Sequence, residues 1–459
     1  MTLSDTDFAR AQVQLFEWLS IPSVSADSTF NAETRRAAVW LQDHLNRIGL
    51  KAELCETPGH PIVYAEWLEA GKDAPTVLLY GHYDVQPADP LEEWNTKPFE
   101  PTVRDGYVYA RGSSDDKGQV FAHVVALEHA LKAGPLPVNV KLLIEGEEEC
   151  GSANLDEFII ANQERLACDV VMISDGAMFA PGVPTLTTGL RGLAYLEVHV
   201  QGAKSDLHSG SYGGAVANPL NALAIMIGKL KDENGRILVP GVYDKVRAIP
   251  EPELEGWRQL PFDESDLASS VGVTAVGASQ AGGEAGFSVL ERLWSRPTLD
   301  VNGIWGGYSG EGSKTVLPAK AGAKISLRLV PDQDPDEIAT LVEKYLHQIK
   351  PAGVTLEVKA LHHGQPVALD TSSAAAKAAL RALERAYPGK RVAFVRGGGT
   401  IPVVATMRER LGAPVLLVDM GLPDDGLHGP NERFLLECFR KGIEVAGFAL
   451  TELAGIKGS

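Results

Sequence analysis

Apolar residues recur at helical spacing along the first fifty positions, and Asp7 to Leu50 predicts two helices parted at Ile21-Pro22-Ser23. The second carries Ala37, Leu41, Leu45 and Ile48 on one face and stops at Gly49. Short apolar runs bounded by Gly and Pro follow, the pattern of buried strands: Ile62 to Trp67, Thr76 to Tyr80, Val138 to Ile144, Val170 to Ile173, Val392 to Val395 and Val415 to Val418. Between them Gln119 to Leu131 repeats apolar residues every three or four positions and closes at Gly134-Pro135, which predicts a helix. Strands alternating with helices in this way predict an α/β domain with a central, mostly parallel sheet.

From about Gly192 the pattern changes. Leu193 to Val200 alternates as a strand, Asn218-Pro219 opens a helix through Leu230, and Lys324 to Val330 reads as a strand. Asp334-Pro335 opens a helix through Ile349, and Val354 to Leu361 is a further strand. That order predicts an α+β ferredoxin-like domain. Catalytic-looking segments resume only at Arg396, so the expected organisation is one catalytic domain, 1–190 and 366–459, with 191–365 inserted. The stretch from Gly235 to Ser313, rich in Gly, Pro, Glu and Ser, has no readable period.

Composition narrows the function classes. At 459 residues the chain exceeds what one core usually serves. Its 42 Lys and Arg against 60 Asp and Glu give a net charge of −18, which argues against a nucleic-acid surface or an anionic membrane as partner. No apolar run approaches the length of a membrane span, and Met1 to Asp5 lacks a basic-then-apolar leader, so a cytoplasmic protein is expected. Cys55, Cys150, Cys168 and Cys438 are scattered without a CxxC pair, which predicts reduced, mostly buried thiols.

The candidate chemistry lies where the strands end. His82 and Asp84 follow the run Val77 to Gly81, two residues apart and on one face if the chain stays extended. His82 suits a metal, and Asp84 suits orienting a ligand or a base. Ser114-Asp115-Asp116 precedes the helix at Gln119; the simplest role for such residues is capping, but one carboxylate can also bridge two cations. Asp115 is the expected bridge and Asp116 the expected cap. Glu145, Glu147, Glu148 and Glu149 abut the strand from Val138, where mutual repulsion in a dry site calls for a cation; consecutive Glu148 and Glu149 point differently, which suits one ligand and one free proton carrier. Asp175 ends the run from Val170, and His428 lies in Gly426-Leu427-His428-Gly429. Each alone reads as a turn residue, but acids and histidines at so many strand ends define a two-metal hydrolase site. His208, in Asp206-Leu207-His208-Ser209-Gly210, stands apart from the other histidines, which lack such context.

The combination resembles the M20 metallopeptidase family, and Gly81-His82-Tyr83-Asp84-Val85-Gln86-Pro87 with Asp206 to Gly210 resembles its dipeptidase and carnosinase-like branch. The match runs through most of the chain, including Trp94, Pro98-Phe99 and Asp105-Gly106, and leaves about Gly235 to Gln280 unmatched. The resemblance implies one divalent ion held by His82 and Asp175 and another by Glu149 and His428, with Asp115 bridging. It further implies Glu148 as the general base and Asp84 as the acid that supports it. His208 is implied to reach the active site of the partner subunit in a homodimer, Arg328 to bind the substrate carboxylate, and Thr400 to line the same pocket. Zinc fits the mixed nitrogen and oxygen set best, and manganese or cobalt is also accommodated. The expected function is hydrolysis of the peptide bond of dipeptides or short peptides with a free C-terminal carboxylate, through a metal-bridging water activated by Glu148. The alternative is an amide hydrolase that deacylates N-acyl amino acids; Tyr83, where those relatives often carry Thr, favours the dipeptidase. A binding protein that kept the fold would not need Glu148.

Overall fold

The structure, a computed structural model, describes residues 3–277, 279–399 and 402–456. The chain divides into two compact units, one of Met1–Thr188, Leu369–Val395 and Thr406–Ser459, the other of Gly189–Ala368 and Arg396–Ala405. The segment Arg396–Ala405, expected with the catalytic domain, thus groups with the second unit.

In the first unit the strands run across the sheet in the order 51–55, 62–67, 139–145, 76–82, 170–173, 415–417, 185–190. The central strands 139–145, 76–82, 170–173 and 415–417 are parallel, and those flanking them on both sides are antiparallel. Helix Lys117–Ala133 is buried from Lys117 through Glu128, as a helix packed on several sides must be, and it lies against helices Leu436–Leu453 and Asp5–Leu19. Helix Asn31–Arg47 buries Ala37, Ala38, Leu41 and Leu45 in the same core.

The second unit has its own core. Its four-stranded antiparallel sheet has the order 298–306, 320–329, 192–201, 355–364, which in chain sequence is strand order 2-3-1-4, the ferredoxin-like arrangement. Alternation along 192–201 turns Ala194, Leu196, Val198 and Val200 inward against helices Pro219–Gly228 and Pro335–Ile349. Those helices start where Asn218 and Asp334 accept hydrogen bonds from Leu220 and Glu337 main-chain amides. The edge strand 298–306 and helices Glu251–Arg258, Glu264–Ser270 and Val289–Trp294 come from the stretch that showed no period. All four cysteines are free, but they are not mostly buried as expected: Cys438 is buried, Cys55 and Cys168 are partly exposed, and Cys150 is exposed.

Candidate metal centre

Parallel strands that end side by side bring the residues just beyond them together. Strand Thr76–His82 runs to His82 itself, which is paired with Glu145 on the neighbouring strand. The preceding Gly81 has no room for a side chain, because a Cβ would lie 2.5 Å from Asp116 Oδ2. His82 is fully buried. Its Nδ1 is 3.0 Å from the Asp84 carbonyl oxygen, which assigns the ring proton to Nδ1 and leaves Nε2 as the lone-pair nitrogen. Nε2 faces Asp115 Oδ1 at 3.1 Å and Asp175 Oδ1 at 3.7 Å, yet makes no well-formed hydrogen bond. A buried lone pair aimed at two carboxylates calls for a cation between them.

The other oxygen of Asp115, Oδ2, is 3.0 Å from His428 Nε2, which stands 3.4 Å from Glu149 Oε2. Ligand atoms of His82, Asp115 and Asp175 all lie within 4.8 Å of one another, and so do those of Asp115, Glu149 and His428. Asp115 belongs to both groups and turns one oxygen to each. His428 reaches it from a left-handed backbone conformation with φ of 61°, which a non-glycine residue adopts at a cost and which aims its ring.

The charges respond to this crowding. Burial alone would raise Asp115, but the imidazoles of His428 and His82 beside it outweigh that and hold its carboxyl below the usual range. Burial likewise opposes charge on His82, and Asp115, Asp175 and Asp84 still raise its pKa well above an ordinary imidazole. Hydrogen bonding to Asp115 lifts His428 to about 9. Glu149 is pushed up to about 8 by burial and then by Asp115, and Glu148 to about 7, first by burial and then by Asp175, Asp115 and Asp84 against His82. Acids that resist ionisation sit beside imidazoles that resist deprotonation, the response expected of ligands gathered for a divalent cation.

Several side chains hold this set in place. Asp84, fully buried, accepts from Ser25 Oγ at 2.6 Å and from the Glu149 amide at 3.1 Å, so it ties the His82 strand to the Glu148–Cys150 turn. Asp116 occupies the N-cap position of helix Lys117–Ala133 but makes no capping hydrogen bond. The expected cap instead turns inward and accepts from the His82 amide at 3.2 Å.

Four supporting residues were not anticipated from sequence. Glu432, fully buried, accepts from the amides of Gly112, Ser114 and Asp115 and pairs with Arg111 Nη1 at 2.8 Å, cradling the Asp115 loop. Asp425 accepts from Ser114 Oγ at 2.8 Å, and Gln86 donates to Glu149 Oε2 at 2.8 Å. Asp419, beyond strand 415–417, accepts from Thr187 Oγ1 at 2.6 Å and packs against Gly176 beside Asp175. Asp419 had a readable signal, an acid just after an apolar run like Asp175; Glu432 had none.

The remaining sequence candidates lie in the second unit. Arg328, half-buried on strand 320–329, pairs in register with Leu193 and Thr298. His208 is exposed on a two-residue strand opposite Val316. Thr400 lies outside the described residues.

With this geometry, the comparisons with known proteins agree in one direction. Residues 78–452 match Peptidase family M20/M25/M40. The chain belongs to that family. It is 35% identical over 457 residues to the Cys-Gly metallodipeptidase dug1 of Schizosaccharomyces pombe, covering 95% of this chain and 94% of that one. It is 32% identical over 463 residues to the Beta-Ala-His dipeptidase of Homo sapiens, covering 96% and 89%. Among solved structures, the M20 family metallo-carboxypeptidase Sso-CP2 from Sulfolobus solfataricus superposes with a TM-score of 0.83 at 35% identity, covering 97% of this chain and 99% of that one.

Proposed function

We propose that this chain is a metallodipeptidase that hydrolyses the peptide bond of dipeptides or short peptides with a free C-terminal carboxylate. The observation that carries the reading is Asp115, one oxygen toward His82 and Asp175 and the other toward His428 and Glu149, with Glu148 among the same charges. Relatives named for cleaving Cys-Gly and β-Ala-His, and a neighbour named a carboxypeptidase, favour this substrate class over N-acyl amino acids.

In this reading His82 and Asp175 would hold one divalent ion, Glu149 and His428 would hold a second, and Asp115 would contribute to both. Zinc is the preferred metal for the mixed nitrogen and oxygen donors, and manganese or cobalt serves the same set. When bound, such ions polarise the scissile carbonyl and make an attacking water more acidic. Glu148 accepts the proton of the attacking water and returns one to the departing amine. Asp84 keeps His82 in the tautomer that presents Nε2 and fixes the main chain at Glu149. Arg328 and Thr400 take the substrate carboxylate end, and His208 of a homodimer partner donates to the developing oxyanion. No helix among the described residues is long and apolar enough to cross a membrane, and four free cysteines suit the cytoplasm.

The test is a panel of Cys-Gly, β-Ala-His and ordinary dipeptides against N-acyl amino acids, after chelation and after return of zinc, manganese or cobalt, with metal counted per chain. Dipeptide cleavage that vanishes with chelator and returns with two equivalents of metal is expected. Cleavage of acyl amino acids with every dipeptide left intact would overturn the reading.

A further inference from the structure

Asp419 is an acid beside the metal centre that neither ligand group uses. Strand 415–417 lies parallel to strand 170–173, with Leu417 in register with Ile173. Past the strand ends the two segments stay paired: Val418 donates its amide to the Ile173 carbonyl at 2.9 Å, and Gly421 bridges Ala177 in parallel. The offset is the same on both sides, so Asp419 stands opposite Asp175, on neighbouring segments about 5 Å apart. Its carboxylate lies against the next residue, Gly176, where a Cβ would be 2.7 Å from Oδ1 and 3.1 Å from Oδ2.

The surroundings leave this carboxylate short of a cation. Asp419 is only 8% exposed. Thr187 Oγ1, on strand 185–190, donates to Oδ2 at 2.6 Å, and no described residue donates to Oδ1. Burial, Thr187 and Asp175 are the influences on its charge, and none of them is positive. Asp115, Asp175 and Glu149 each belong to a ligand group with a histidine, whereas Asp419 belongs to neither group. A nine-tenths buried carboxylate with one oxygen unmatched is an unfavourable arrangement that a charged hydrogen-bond donor relieves.

The proposed substrate brings such a donor. A dipeptide carries its free α-ammonium on the carbon next to the scissile carbonyl, so a carbonyl placed at the metal ligands puts the ammonium among them. Divalent ions held there would repel it, and a carboxylate not engaged by metal offsets that repulsion. We propose that Asp419 is a specificity-determining residue for the amino end of the substrate: Oδ1 accepts a charge-assisted hydrogen bond from the free α-ammonium while Thr187 holds Oδ2. The proposal rests on the dipeptidase reading above. It also gives that reading a physical cause, because an N-acyl group replaces the ammonium with a neutral amide that gains little from Asp419.

The experiment measures kcat and KM for a dipeptide and for its N-acetyl derivative in the parent, Asp419→Asn and Thr187→Val enzymes, with metal per chain and thermal unfolding of each. The parent should prefer the free amine. Asp419→Asn, which keeps the shape but not the charge, should lower that preference about tenfold or more through the KM for the free dipeptide, with metal per chain unchanged. Thr187→Val, which keeps the charge but lets the carboxylate turn, should lower the preference less, and it serves if Asp419→Asn does not fold. An unaltered preference in a folded Asp419→Asn enzyme, or equal losses on both substrates, would overturn the assignment; lost metal alongside them would make Asp419 a support for Asp175. A parent that cleaves the N-acetyl derivative as well as the dipeptide would overturn this proposal alone, and one that cleaves neither would overturn the dipeptidase reading.

Discussion

Glu148 and Glu149 are neighbours with the same side chain, and their surroundings divide them. Glu149 is tethered on three sides: its amide donates to Asp84, Gln86 donates to its Oε2, and His428 lies 3.4 Å from that oxygen. The forces on Glu148 are burial and surrounding charge, with no hydrogen bond among them. A tethered carboxylate suits a fixed ligand, and an untethered one with its pKa near neutrality suits taking up and returning a proton. Glu148→Gln should therefore lower turnover by roughly a hundredfold or more with bound metal unchanged, whereas Glu149→Ala should lose metal. Metal analysis after gel filtration distinguishes them, and the reverse pattern would exchange the two roles. Residues of this kind were legible because acids and imidazoles after apolar runs break an otherwise buried pattern. Glu432 was not, because its partners at Gly112, Ser114 and Asp115 are more than three hundred positions away, and nothing local marks an acid that serves main-chain amides.

Among the elements, helix Asn31–Arg47 carries an unusual core residue. His44 is buried with both ring nitrogens lacking a hydrogen bond, stacked on Trp40 at 5.1 Å and edge-on to Phe121 at 5.4 Å. Burial lowers its pKa from 6.5 to about 4, Glu128 opposing and Arg47 and Lys132 assisting. Between those values the unfolded chain binds a proton that the folded chain refuses, so this position loses stability as pH falls from 6.5 toward 4, by up to about 3 kcal/mol. His44→Phe keeps the ring packing and removes both the orphaned nitrogens and the titration. It should be more stable at pH 7 by about 1 kcal/mol, and its advantage should widen toward pH 4.5. Urea midpoints at the two pH values measure this, and an advantage that stays constant with pH would assign the acid sensitivity elsewhere. The helix itself was readable from Ala37, Leu41 and Leu45, since a one-faced core contact writes a period into the sequence. The stretch from Gly235 to Ser313 was not, since its helices are six to eight residues long and its strand 298–306 is an edge strand with mostly exposed positions. Such elements are fixed by tertiary contacts, such as Trp257 packed edge-on to Trp294 at 5.1 Å, rather than by any repeat.

At the scale of the whole molecule, the groups assigned to one reaction are divided between compact units. The ligands and Glu148 belong to the first; His208 and Arg328 belong to the second, where His208 is exposed on its short strand. In the homodimer proposed above, the imidazole of His208, exposed among the described residues, completes the site on the other copy of the chain. The consequence is complementation between two inactive proteins. His208→Ala subunits keep the base, Glu148→Gln subunits keep the histidine, and a mixed dimer contains one site with both. Refolding or coexpressing the two in equal amounts gives half mixed dimers, each with one competent site, so activity should return to about a quarter of the parental value. Each variant alone should stay inactive, and a double His208→Ala, Glu148→Gln chain mixed with parent should yield no gain beyond the parent's own share. Verified mixed dimers without recovered turnover would place His208 within its own subunit's chemistry or outside the reaction altogether.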